Sequence, residues 1–142
     1  MEILIGPARV IELPDCDKIS SNTLKKYDLT NSDRILLKTK NSELWQRPTQ
    51  TFQEDFCALT IDAAEYLVEQ QVKLIGRDYY SLDLDESTDM PVHKTLFRNN
   101  VVGLENIDLS EISAGIYQMV CLPIKLKNGD GAPARVILYQ FP

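Results

Sequence analysis

The chain of 142 residues has one histidine, His93, and one tryptophan, Trp45. Imidazole chemistry done by this chain alone therefore passes through a single side chain. Three cysteines, Cys16, Cys57 and Cys121, are an odd number without short spacing. That argues against a disulfide framework and a cysteine zinc site, and suits a reducing cytoplasm. No apolar run approaches the ~20 residues of a membrane-crossing helix, so no membrane partner is expected. Met1 to Pro7 has neither a basic leader nor a cleavage pattern, so no signal peptide is expected. Basic residues are in deficit, 15 against 21 acidic ones, for a formal charge of −6. A net negative surface repels phosphate backbones, which argues against a nucleic-acid partner. Also missing are a P-loop, a dinucleotide-binding glycine fingerprint, a serine-hydrolase elbow, internal repeats and a linker.

What is present is globular. Hydrophobic residues make up 44% and charged residues 25%, and the length suits one domain over 1–142. Strand patterns fall at 8–13, 34–39, 72–76, 101–105, 117–126 and 134–141. Ser20 or Ser21 caps a short helix through about Tyr27. Thr60 caps a second helix that ends near Gln71, with Ile61, Ala64, Leu67 and Val68 on one face and Asp62 in the first turn. Pro91 opens a third helix through about Arg98, and Asn99-Asn100 turns the chain after it. Residues 40–56 show no clean period and read as a long loop. Residues 127–131, Lys-Asn-Gly-Asp-Gly, read as a hairpin-type turn. Strands interleaved with three short helices define an α/β or α+β class.

Three groups of residues could carry chemistry. His93 and Glu105 lie 12 apart across helix, turn and strand. The helix advances about 8 Å and the strand returns about 13 Å, so a strand folded back beside the helix brings the two side chains together. A converging imidazole and carboxylate form half of a metal site. The plainer alternative is a histidine bonded to backbone or solvent. Gly76 to Asp83 follows a buried strand, where α/β folds often place sites, although Asp and Ser there can equally satisfy turn amides. Gly129 to Arg135 could approach a ligand, or simply turn a hairpin.

Pro91-Val92-His93-Lys94-Thr95-Leu96, then Val101-Val102-Gly103-Leu104-Glu105-Asn106, resembles the His-to-Glu segment of the metal-dependent cyclase family, which includes the kynurenine formamidases (arylformamidases). Gly76-x-Asp78-x-x-Ser81-x-Asp83 resembles the family's strand-end motif. Leu122-Pro123-Ile124-Lys125-Leu126, followed by Asp130-Gly131-Ala132-Pro133-Ala134-Arg135, resembles its closing signature, and Gly6-Pro7-Ala8-Arg9-Val10 an internal strand start. The resemblance implies a swivelling β/β/α-type domain with a mixed sheet, assembled as a homo-oligomer. It implies a zinc or manganese ion that activates water against a small-molecule amide, N-formylkynurenine in the kynurenine formamidases. It makes His93 and Glu105 metal ligands. It assigns no catalytic or substrate-binding residue here, because the family's His-x-Gly-Thr-His-x-Asp segment has no counterpart in this sequence. Arg77, where the family usually has an apolar residue, and Tyr79-Tyr80 also depart from its pattern. The expectation is therefore the C-terminal portion of a cyclase domain, N-terminally truncated and inactive alone. Its other ligands would be supplied in trans. The alternative is a non-catalytic remnant acting as an oligomerisation or binding module.

Overall fold

A computed structural model describes residues 2–47 and 52–140. After a short 3-10 turn, Glu2–Leu4, come β1 (Ile5–Leu13), β2 (Lys18–Ile19), α1 (Ser21–Leu24) and β3 (Arg34–Thr39). A 3-10 helix, Lys40–Gln46, leads towards β4 (Ala58–Leu59), α2 (Ile61–Glu69) and β5 (Leu74–Arg77). Then follow α3 (Pro91–Arg98), β6 (Val102–Leu104), β7 (Gly115–Pro123) and β8 (Ala134–Tyr139). Six strands form one mixed sheet in the order β6-β5-β3-β1-β7-β8. The first four are parallel, with Arg9 opposite Ile35 and Ile35 opposite Ile75. β7 runs antiparallel to β1, and β8 antiparallel to β7. β2 and β4 form a separate parallel pair, Lys18 opposite Ala58. The fold is α/β, as the sequence implies.

Alternation along the strands sends side chains to two faces. Ile11, Leu13, Ile35, Leu37 and Ile75 meet Leu24 of α1, Ala63, Ala64 and Leu67 of α2, and Val92 and Leu96 of α3. Ala8, Val10, Leu36 and Leu74 face the other way, onto Ile107 and Leu109 from the β6–β7 connection and onto Met119 and Cys121. β5 is buried along its whole length, as expected of a strand covered on both faces. The outer side of β7 and β8 has no such cover: Ile116, Leu122, Ile137 and Tyr139 are 59%, 51%, 47% and 42% exposed.

Several details differ from the sequence pattern. Thr60 is the N-cap of α2, but its hydroxyl donates to the Ile19 carbonyl (3.0 Å) and to Asp62 rather than accepting from its own helix. Asp62 in turn accepts the Ser21 N–H (2.8 Å), tying α2 to α1. Ile61 is 48% exposed and Ala63 takes its place on the buried face. β5 starts at Leu74 because Gln71 is left-handed (φ 59) and Lys73 and Leu74 both donate to the Asp33 carbonyl. β7 stops at Pro123, leaving Ile124 and Leu126 exposed beyond it. The expected loop 40–56 begins as a 3-10 helix, closed by Thr39 accepting the Asn41 N–H (3.1 Å). Its stretch 48–51 lies outside the described residues, as do Met1 and Phe141. Among the described residues no helix is long and apolar enough to cross a membrane.

Candidate functional site

α3 places His93 in its first turn, two residues after Pro91, whose missing N–H costs nothing there. The N-cap, Met90, is left-handed (φ 46) and offers no capping side chain. Capping comes instead from Asp83 in the preceding loop. Its two carboxylate oxygens accept the N–H groups of Val92 (2.9 Å) and His93 (3.1 Å). Asp83 is 2% exposed, so these bonds are well shielded from water. The same carboxylate bonds His93 Nδ1 at 2.5 Å.

With Nδ1 engaged, Nε2 is the free end of the ring, and it faces Glu105 Oε1 at 3.0 Å. Glu105 lies just past β6, and its Oε1 also accepts the Leu82 N–H (2.7 Å). The convergence of His93 and Glu105 estimated from element lengths is thus present, and the helix–turn–strand return produces it. Phe97, one turn along α3, packs edge-on against the imidazole at 5.4 Å. The Glu105 carboxylate raises the imidazole pKa above its ordinary value; burial opposes the rise and Asp83 adds to it.

The chemistry of these donors suits a divalent ion. A histidine whose Nδ1 is held by a buried carboxylate, and whose Nε2 points at a second carboxylate, has the orientation that metal-ligating histidines usually have. Imidazole plus carboxylate suits zinc, manganese or iron. The number falls short: among the described residues no group of three or more His, Cys, Asp or Glu could hold a metal, whereas a catalytic zinc takes about three protein ligands. The residues present therefore fit a half-site. Asp83 is the member that sequence reasoning missed as a partner of His93. The signal was its place closing Gly76-x-Asp78-x-x-Ser81-x-Asp83, with Ser81 accepting its N–H (3.2 Å).

The rest of that motif is structural. Gly76 is required by packing, since a Cβ there would lie 2.4 Å from Leu36 Cδ2. Asp78 is fully buried and accepts from Thr39 N (2.6 Å), Thr39 Oγ1 (3.0 Å) and Ser42 Oγ (2.7 Å), joining the ends of β5 and β3. Trp45 Nε1 donates to the Asp78 carbonyl. Arg77 is also fully buried: Nη2 donates to the Cys57 carbonyl and the guanidinium lies 5.5 Å from the Phe56 ring. Burial lowers its pKa, and its Nε and Nη1 have no hydrogen-bond partner among the described residues. Tyr79 stacks on Phe56 at 4.5 Å, while Tyr80 is exposed. Gly131 and Arg135 are exposed, in and beside the β7–β8 turn.

A family model described as Putative cyclase matches residues 1–84, and the chain belongs to the cyclase family. Among its relatives is the kynurenine formamidase of Bacillus thuringiensis (strain Al Hakam), 30% identical over 138 residues, covering 97% of this chain and 64% of the relative. The kynurenine formamidase of Bacillus cereus (strain ATCC 14579) matches equally. The chain thus spans less than two-thirds of the length of these relatives. Among solved structures, a potential metal-dependent hydrolase with cyclase activity is 34% identical with a TM-score of 0.85, over 99% of this chain and 68% of that one. A predicted metal-dependent hydrolase from Bacillus stearothermophilus is 34% identical with a TM-score of 0.87, over 96% and 64%. An isatin hydrolase, 21% identical with a TM-score of 0.75, covers 95% of this chain and 60% of that one and shares the fold.

Proposed function

We propose that residues 1–142 form one cyclase-family domain whose His93 and Glu105 supply two donors to a zinc or manganese ion in the hydrolysis of a small-molecule amide. The substrate in this reading is N-formylkynurenine, split by water to kynurenine and formate in cytoplasmic tryptophan catabolism. The observation that carries it is His93 Nε2 facing Glu105 Oε1 at 3.0 Å while Asp83 holds Nδ1. Relatives described as kynurenine formamidases and metal-dependent hydrolases support the class. A divalent ion bound here supplies Lewis acidity and a water that ionises near neutral pH. Asp83 fixes the ring orientation, and the Leu82 N–H holds Glu105 Oε1 beside it. Two donors do not complete a catalytic site, so in this reading the remaining ligands come from outside residues 1–142, in line with a chain that covers 64% of its relatives. The chain alone is inactive in this reading.

Zinc titration against a chelating dye tests the half-site. Weak uptake is expected, abolished in His93→Ala and Glu105→Gln and about 10–100-fold weaker in Asp83→Asn. Equal uptake by His93→Ala overturns the assignment. N-formylkynurenine hydrolysis should read background for the chain alone. It should rise on adding a polypeptide with a His-x-Gly-Thr-His-x-Asp segment. The shortage of a third donor among the described residues favours a second reading, a non-catalytic remnant that serves oligomerisation or binding. No zinc uptake and no turnover under any supplementation selects it.

A further inference from the structure

Cys16 and Cys57 are 41 residues apart in sequence yet neighbours in space. β2 and β4 run parallel with Lys18 opposite Ala58; Cys16 lies two residues before the first and Cys57 one before the second. Paired strands run about 4.8 Å apart, so the chain enters β2 and β4 at neighbouring points, with one bend, at Asp17, between Cys16 and β2. Cys16 packs against the hydrophobic cluster that contains Cys57; its thiol donates to the Lys18 carbonyl (3.1 Å), and its sulfur is near enough to add to the rise of the Cys57 pKa.

Their surroundings differ in a useful way. Cys16 is half-buried and lines a surface cavity with Glu12, Thr23 and Tyr27. Cys57 is fully buried, and burial pushes its thiol pKa up. Its backbone is fixed on both sides: Cys57 N donates to Asn41 Oδ1 (3.1 Å), and Cys57 O accepts from Asn41 Nδ2 (3.0 Å) and from Arg77 Nη2. A cysteine at the edge of a solvent-open cavity thus lies near a sheltered one held in place. Cys121 packs in the other cluster, on the opposite face of the sheet.

We propose that Cys16 and Cys57 form a reversible disulfide when a hydroperoxide reaches Cys16. The peroxide oxygen transfers to the Cys16 sulfur, giving a sulfenic acid and releasing an alcohol, or water from hydrogen peroxide. The Cys57 sulfur then attacks the Cys16 sulfur; the S–O bond breaks, the S–S bond forms, and the Cys57 proton leaves with the hydroxyl as water. The two thiols lose two electrons and the peroxide gains them. The bridge fastens the loop after β1 to the Asn41–Cys57–Arg77 junction and closes the segment between them.

The folded chain, washed with chelator, is treated with stoichiometric hydrogen peroxide, alkylated and peptide-mapped. The expected product links Cys16 to Cys57, is reversed by dithiothreitol, leaves Cys121 as a free thiol, and is cut by protease within 17–57 roughly tenfold or more slowly than the reduced form. Cys16→Ser, at a partly exposed position, should keep its fold and leave Cys57 unoxidised under the same treatment. Cys121→Ser should cross-link as the native chain does. Cys16 carried to the sulfinic acid with Cys57 still a thiol overturns the proposal. So does a bridge to Cys121, or one that forms only in denaturant.

Discussion

The two halves of the sheet are built to different rules. In β1, β3 and β5 both faces are covered, by three helices on one side and the β6–β7 connection on the other. In β7 and β8 one face is covered and the other presents Ile116, Leu122, Ile137 and Tyr139 to solvent. The difference separates hydrophobicity from burial. Isoleucine and leucine occur in both halves, yet in β3 and β5 every one of them is buried. The His93–Glu105 pair belongs to the covered half, where α3 packs beside the ends of β5 and β6.

The sharpest test sets one isoleucine against another. Ile35→Ala, in fully buried β3, should cost about 2–5 kcal/mol in urea unfolding, whereas Ile137→Ala on the open face should stay within about 0.5 kcal/mol. Equal losses would erase the contrast. A smaller effect is expected from Gly76→Ala, because the added Cβ meets Leu36 at 2.4 Å and Ile107 at 3.2 Å. Overpacking of this kind costs about 1–3 kcal/mol, read as a lower urea midpoint at unchanged slope. The smallest effect is electrostatic. Hydrogen bonds from Thr60 and Ser21 lower the Asp62 pKa to about 2 from the ordinary 3.8. A carboxylate lowered on folding adds stability above its unfolded pKa and loses it as pH falls towards the folded one. Protection of the α1 amides relative to their intrinsic exchange rate should therefore fall between pH 3.8 and about 2, and Asp62→Asn should flatten that response.

How legible each part was follows from where its determinants lie. α3 was read with both ends correct because Pro91 and Asn99-Asn100 are local signals, and β3 because an unbroken Ile-Leu-Leu run needs burial on both faces. The end of β7 was misplaced because Ile124 and Leu126 are apolar yet exposed. The 3-10 helix after β3 was missed because Asn41 holds it through bonds to Cys57, 16 residues away. The His93–Glu105 approach was legible because element lengths alone bound it. Asp83 as the partner of His93 was not, since it caps α3 across an irregular loop that no periodicity describes.

The place of β1 in the sheet has a kinetic consequence. It pairs with β3 on one side and with β7 on the other, Ile5 lying opposite Val120. Contacts between such distant parts of a chain form slowly, because the intervening segment must be restricted before the pairing rewards it. The β7–β8 hairpin can close on its own in about 1–10 μs and then wait as a finished piece. Until it docks, β1 has an open edge and one uncovered face, the condition in which a folding chain is most prone to pair with the wrong strand.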